Sequence, residues 1–262
     1  MEDPDNMKPP TAPAVEREAP QMSEVATVGN IFFEPGRTFE DLKRKPRFVT
    51  ASIIIALLVT AYGFGLYYKV GDAGVRSFMA EQIDKSPQAS AMSGEQKANA
   101  INLQMTISKV ARFAMPIFVF ISLLIGGLLY WAAAKAFGGT GGFLHGVSVW
   151  VYASLPPAVV GMIANFIVLL LKSADEIDLA TSQRGVIHAS PAALLDGKAM
   201  PVLATVVGTL DLFMIWGWVL AAIGLRITNR ISTASAWAIV LIFALVGLVL
   251  RVITAYFSGN PS

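Results

Sequence analysis

The chain has 262 residues, of which 55% are hydrophobic and 15% charged, whereas a soluble domain usually carries about a quarter charged residues. This composition excludes an ordinary soluble domain, because the excess apolar surface needs lipid as its solvent. The formal net charge of +2 and the absence of cysteine argue against a nucleic-acid partner and exclude disulfides and thiolate metal sites.

The N-terminal region divides into two parts before the first apolar run. Residues 1–30 mix prolines, acids and small residues, and this composition predicts a disordered cytoplasmic tail. Residues 31–47 place Phe39 and Leu42 on one side and charge on the other, which predicts a short helix in the headgroup region, capped by Thr38. Two interpretations stay open: a basic juxtamembrane segment attracted to anionic lipid, or a segment that binds a partner.

Five apolar runs are long enough to cross a hydrocarbon core of roughly 30 Å, which takes about 20 helical residues. Each run is too long for a membrane strand, and none alternates apolar with polar residues as a barrel strand would. Helices satisfy all their backbone groups internally, so the sequence predicts an all-α integral membrane protein with a bundle of five transmembrane helices. The runs cover residues 48–68, 113–137, 147–171, 201–225 and 234–257.

The connections between these runs differ in character. Residues 94–110, in the long first loop, have helical apolar spacing, which predicts that they extend the second helix outwards or lie along the surface. The glycine-rich residues 138–142 lack the lysine of a phosphate loop and are interpreted as a tight helix connection. A small helical cap is expected around residues 191–195.

Basic residues set the expected orientation. They crowd the segment before the first run and the link between the fourth and fifth, whereas the other side carries its Lys and Arg thinly across longer loops. The sequence therefore predicts a cytoplasmic N-terminus and a C-terminus outside. The residues concerned are Arg37, Lys43, Arg44, Lys45, Arg47, Arg226 and Arg230.

Pro156 and Pro157 fall near the middle of the third run. Two adjacent prolines remove two amide donors and disfavour helical geometry in the preceding residues. The sequence therefore predicts a kink or break in the third helix, facing the bundle interior, where other groups satisfy the freed carbonyls. Discontinuous helices also build transporter sites, but an architectural kink is the preferred interpretation.

Asp211 lies within the fourth run, where an ionisable group is expensive and marks a candidate site. An ion pair with Arg251 of the fifth run is the favoured interpretation, because helical rise places their Cα atoms roughly 6 Å apart in depth. Asn165 of the third run would join this intramembrane polar cluster. Protonation of Asp211 and hydrogen bonds from nearby hydroxyl groups remain alternatives. Those hydroxyls belong to Thr205, Thr209, Ser154 and Tyr152.

Signatures of catalysis are missing from the sequence. Asp211 is the single membrane-embedded carboxylate, so an aspartyl dyad is excluded, and neither a zinc-binding His-Glu-x-x-His helix nor a Gly-x-Ser-x-Gly elbow occurs. We therefore predict no catalytic residue, no cofactor and no metal, and a protein that is not an enzyme.

The order of several motifs resembles the Yip1 domain family, specifically its prokaryotic members. The resemblance covers nearly all of residues 31–257. It rests on Phe-Glu-Pro-x-x-Thr-Phe closing in Lys-Pro at 33–46, a glycine-rich turn ending at 143–146, Trp-Val-Tyr-Ala-Ser-Leu-Pro at 150–156, Asp-Leu-Phe at 211–213, Ala-Ile-Gly-Leu at 222–225 and Ile-Ser at 231–232.

This resemblance implies five membrane helices, a cytoplasmic N-terminus and a place in a bacterial cytoplasmic membrane. Eukaryotic members bind prenylated Rab GTPases, but residues 1–30 show no motif that carries this role over, and the family supplies no catalytic residue. The predicted function is a scaffold that organises membrane lipids or other membrane proteins, with self-association as an open possibility. The alternative is a small transporter or channel that uses Asp211 beside Pro156 and Pro157.

Overall fold

The computed structural model describes residues 19–86, 88–182, 185, 187, 189–197 and 199–260. Within them the regular secondary structure is helical, as the sequence predicts. The α-helices are α1 (Glu24–Asn30), α2 (Pro35–Arg44), α3 (Val49–Asp84), α4 (Gly94–Ala136), α5 (Phe143–Leu171), α6 (Leu179–Ser182), α7 (Pro201–Gly208), α8 (Leu212–Asn229) and α9 (Thr233–Ser258).

Five of the described helices, α3, α4, α5, α8 and α9, are long and apolar enough to cross a membrane. Short connections at residues 137–142 and 230–232 make consecutive spans antiparallel. These connections and the helices α1 and α2 form one end of the bundle, the cap side, and the links from α3 to α4 and from α5 to α7 form the other, the loop side. The predicted five-helix architecture is confirmed.

The helix α5 is the centre of the bundle, because it packs against α3, α4 and α8, while α9 packs on α8 and α7. The core of the cap-side half is built from side chains such as Val147, Leu155 and Leu225, each 0% exposed. On the outside, large apolar side chains such as Leu57 and Leu245 are each 61% exposed, as expected where lipid replaces water around a helix.

The first two spans continue well past the predicted apolar runs. The helix α4 has 43 residues, about 64 Å at a helical rise of 1.5 Å, so α3 and α4 form a hairpin that projects on the loop side. Lys97 bonds Asp84 at 2.7 Å and Arg76 bonds Asn102 at 2.9 Å across this hairpin. Residues 94–110 therefore extend the second membrane helix, which confirms one of the two expected arrangements.

One glycine interrupts the helical course of α3. Gly71 has φ 71° and ψ 172°, a non-helical conformation that only glycine adopts at low cost. It lies three residues beyond the predicted end of the first apolar run at residue 68, so the membrane part and the projecting part of α3 meet close to this residue.

The sequence predicted a kink or break at Pro156 and Pro157. The structure has no break there, because α5 is helical from Phe143 to Leu171, and the kink stays a prediction. The prolines remove the donors for the carbonyls of Tyr152 and Ala153. Gly217 of α8 packs beside them, since a Cβ there would lie 3.6 Å from the Ala153 oxygen and 3.7 Å from Pro157 Cγ. Packing on three sides holds α5 together despite the missing hydrogen bonds.

The N-terminal boundary also differs from the prediction. The expected tail reached residue 30, but Glu24–Asn30 is helical and begins at Ser23, whose hydroxyl accepts from the Ala26 amide at 3.2 Å. Residues 1–18 lie outside the described residues, so disorder there stays a prediction. The prediction that Thr38 is the N-cap of α2 is wrong, because this helix starts at Pro35, before Thr38.

Candidate functional site

Asp211 lies at a break between two helices rather than inside one. The helix α7 ends at Gly208 and α8 begins at Leu212, with Asp211 as its N-cap. One carboxylate oxygen accepts from the amides of Phe213 at 2.8 Å and Met214 at 3.2 Å. This arrangement satisfies two of the amides that a helix start leaves without intrahelical partners.

The break also changes the depth expected for Asp211. The helix α8 has 18 residues, about 27 Å at helical rise, which nearly spans a core of about 30 Å. Asp211 therefore lies close to the loop-side boundary of the membrane rather than near its middle, where the cost of a carboxylate is lower.

The predicted ion pair between Asp211 and Arg251 is not formed. Both residues belong to the described part of the chain, and the ion pairs there do not include them. Arg251 Nη1 instead lies 3.4 Å from the sulfur of Met214. The Asp211 carboxylate accepts hydrogen bonds from the start of its own helix and is stabilised there without the ion pair.

Asn165 makes a different set of contacts. It is 5% exposed, donates to the Gly161 carbonyl at 2.8 Å and accepts from the Ile187 amide at 2.9 Å. It thus holds part of the connection after α6 against α5. The three predicted cluster residues do line one open cleft of about 830 Å³ on the loop side, but each has its own local partners.

This loop-side cleft does not continue as a polar path to the cap side. Its deepest lining residues on α5 and α8 are Pro157 and Met214. Towards the cap side follow the buried apolar residues Leu155, Ile239 and Val240, each at most 1% exposed. Among the described residues, an apolar core therefore lies between the cleft and the cap side, and a mainly apolar groove that adjoins the cleft at Pro157 and Met214 ends at Tyr130 within this core.

A second polar site, on the cap side, was missed by the sequence analysis. The carboxylate of Asp41 accepts from the guanidinium of Arg47 and from the Met22 amide at 3.1 Å, and Arg47 donates to the Met22 carbonyl at 2.8 Å. The side chains of Arg47 and Asp41 are 9% and 2% exposed. This buried pair ties the segment before α1 to α2 and the start of α3.

The helix α2 packs against the bundle. Phe39 and Leu42 are 0% exposed, and α2 packs on α8, where Gly224 leaves room for the Phe39 ring. The amphipathic pattern of residues 31–47 was visible in the sequence. The pairing of Asp41 with Arg47 was not, because it is completed by contacts with Met22, which only the folded chain brings close.

The glycine-rich turn at 138–142 is a tight helix connection, as predicted, and it docks onto the end of α8. The Thr140 amide donates to the Asn229 carbonyl at 3.0 Å. His145 accepts from the Gly142 amide through Nδ1 at 3.1 Å, so Nε2 carries the proton and donates to the Lys43 carbonyl at 3.1 Å. One histidine thus joins the turn to α2.

No group of three or more His, Cys, Asp or Glu side chains that could hold a metal ion occurs among the described residues. The arrangement seen here defines a class: an all-helical, multi-pass membrane protein whose packed cap-side end and polar loop-side cleft are separated by an apolar core. The Yip1 domain family model matches residues 29–254, and the chain belongs to this family.

A curated relative agrees with this class. Membrane protein YknW of Bacillus subtilis (strain 168) is 27% identical over 248 residues, which cover 94% of this chain and 95% of that protein. No solved structure matches the chain.

Proposed function

We propose that the chain is a non-enzymatic scaffold that organises partner proteins and lipids in a bacterial cytoplasmic membrane. The observation that carries this proposal is the rigid cap formed by α1 and α2. A buried ion pair and two fully buried side chains, Phe39 and Leu42, hold the cap on the bundle. A segment fixed so firmly presents a defined surface to another molecule.

Among the described residues, nothing covers several apolar side chains of that surface. Phe33 is 86% exposed and Val25 is 81% exposed, and an exposed ion pair between Glu34 and Arg37 lies beside Phe33 in the sequence. Aromatic side chains and arginine are enriched at protein contact sites, whose rim is polar. The same surface also suits insertion among lipid headgroups.

The alternative of a small transporter has less support. A transport path would connect the Asp211 cleft with the cap side, and the packed layer that contains Leu155 and Ile239 stands between them. The acid itself caps α8. An Asp211-dependent flux would therefore require the core of the bundle to open.

The proposed orientation places the cap in the cytoplasm and the C-terminus outside. Its support is the concentration of basic side chains at the cap side of the bundle, where the flank of α3 and the end of α8 meet. They are Arg37, Lys43, Arg44, Lys45, Arg47, Arg226 and Arg230.

Site-specific photo-crosslinking in native membranes tests the scaffold. A photoreactive phenylalanine at Phe33 is expected to give a discrete adduct with an identifiable protein, whereas the same group at the lipid-facing Leu57 is expected to give lipid adducts only. The adduct at position 33 should be lost in an Asp41→Ala background, because the cap loses the groups that fix it.

A flux measurement in proteoliposomes tests the alternative of a small transporter. We expect no ion or proton flux that depends on Asp211. Failure to obtain a protein adduct at position 33, or a flux that Asp211→Asn abolishes, would contradict the scaffold.

A further inference from the structure

A groove of about 490 Å³ runs along the membrane part of the bundle. Its walls are α5 and α9, which have no extended packing contact among the described residues, and its floor is α8, which packs on both. Tyr130 of α4 closes the end nearest the cap side. The volume lies within the range of roughly 300–1,000 Å³ that small-ligand sites have.

The groove wall is apolar along most of its length. Pro157, Ala158, Phe213, Ala244 and Leu248 line it. Gly247 widens it, because a Cβ at this position would meet no atom within 4 Å. Such a channel suits a flexible hydrocarbon chain better than a polar ligand.

The length of the groove corresponds to one leaflet. On α9 it extends from Val240 to Arg251, and eleven residues of helix span about 16 Å. Half of a hydrocarbon core of about 30 Å is about 15 Å. A single acyl chain of the loop-side leaflet therefore fits between the two ends.

Arg251 stands at the mouth of the groove, where it also borders the loop-side cleft. Beyond it on α9, Tyr256 and Phe257 are 73% and 81% exposed, as aromatic residues are at a membrane interface. Arg251 contacts the sulfur of Met214 through Nη1 at 3.4 Å. Because a guanidinium has five N–H donors, it can bind a phosphate of the headgroup layer beside the contacts that it already makes. One carboxylate oxygen of Asp211, which lines the adjoining cleft, accepts from two backbone amides of α8.

We propose that this groove binds one glycerophospholipid of the loop-side leaflet, with an acyl chain between α5 and α9 and the phosphate on Arg251. The bound lipid would bridge two helices that share no extended packing contact among the described residues. The inference rests on the lipid-organising half of the proposed function, and the partner-binding half does not depend on it.

The test uses the full-length protein in nanodiscs with a phosphatidylglycerol that carries a diazirine in the middle of one acyl chain. In the wild type, adducts are expected on the groove-facing residues of the α9 segment 240–251. Gly247→Phe should fill the groove and Arg251→Gln should remove the phosphate contact, each lowering adduct formation there about tenfold.

Leu245→Phe is the matched control, because Leu245 lies on the same helix, is 61% exposed and does not line the groove. It should leave the yield unchanged. Equal yields in all four proteins would show annular lipid only and overturn the site, and a loss with Gly247→Phe but not with Arg251→Gln would overturn the phosphate contact. Crosslinking at Phe33 reports the partner role separately and should not respond to the groove variants.

Discussion

Asp211 illustrates how an acid in an apolar run acquires a local role. Its position in the sequence marked it correctly as a residue that needs an explanation. The explanation is hydrogen bonding to the amides of Phe213 and Met214, since helix N-termini favour acceptors and negative charge. The depth estimated from helical rise placed Arg251 near Asp211. It could not show that the carboxylate accepts hydrogen bonds from its own helix.

Substitution of Asp211 distinguishes a helix cap from an ion pair. Asp211→Ala should lower the free energy of unfolding by about 0.5–2 kcal/mol, whereas Asp211→Asn and Asp211→Ser, which also cap helices, should stay within a few tenths of a kcal/mol of the wild type. Thermal unfolding in detergent measures these differences. A large loss with Asp211→Asn that Arg251→Leu restores would instead establish the ion pair.

At the level of the helix, the interruption lies beside the acid Asp211 and not at the two prolines. Pro156 and Pro157 lie in an unbroken helix, and the helical break falls at residues 209–211. Propensity alone favours the opposite result, because proline costs about 3 kcal/mol in a helix interior. The central position of α5, packed on three sides, overrides that propensity, and this information is absent from any local stretch of sequence.

Close packing of α4 on α5 depends on glycine. A Cβ at Gly127 would lie 2.4 Å from the Val147 Cα, and one at Gly146 would lie 2.6 Å from the Gly127 oxygen. Both contacts involve backbone atoms, so a change of side-chain rotamer cannot relieve them. The two helix backbones therefore approach as closely as small residues allow in membranes.

Gly127→Ala should destabilise the protein by about 3 kcal/mol or more, at or above the upper end of the range for overpacked cores. The expected observation is a lower midpoint of thermal unfolding with loss of the monodisperse peak in detergent. Gly94→Ala in the same helix is the control, since a Cβ there meets nothing within 4 Å. If both variants unfold at the same temperature, α4 and α5 do not cross as closely as described.

For the whole molecule, the number and order of the spans were predictable because apolar length is a strong signal. The projecting hairpin of α3 and α4 was harder to predict. Its residues are polar enough to leave the membrane, and its stability depends on contacts across the hairpin, such as Arg112 stacked 3.2 Å from the Tyr67 ring centroid. The cap was harder still, because the Met22 contacts of Asp41 and Arg47 lie far from them in sequence.

The proposed orientation predicts the labelling of single cysteines. The natural sequence has no cysteine, so each introduced residue reports without a background. In spheroplasts, an impermeant maleimide should label Glu95→Cys and Ala174→Cys on the loop side, and should reach Lys45→Cys and Lys135→Cys on the cap side only after permeabilisation. The reverse pattern would invert the orientation of the bundle, and the unmodified chain should show no labelling at all.

The early end of α7 has a consequence for biogenesis. With part of the fourth apolar run assigned to α7, α8 is the shortest and least apolar of the five membrane helices, and such a segment partitions into lipid weakly by itself. Its packing surface on α5 is synthesised earlier and is in place when α8 leaves the ribosome. We therefore expect α8 to enter the bilayer by packing on α5. A destabilising substitution in α5 should first impair the membrane insertion of the C-terminal half.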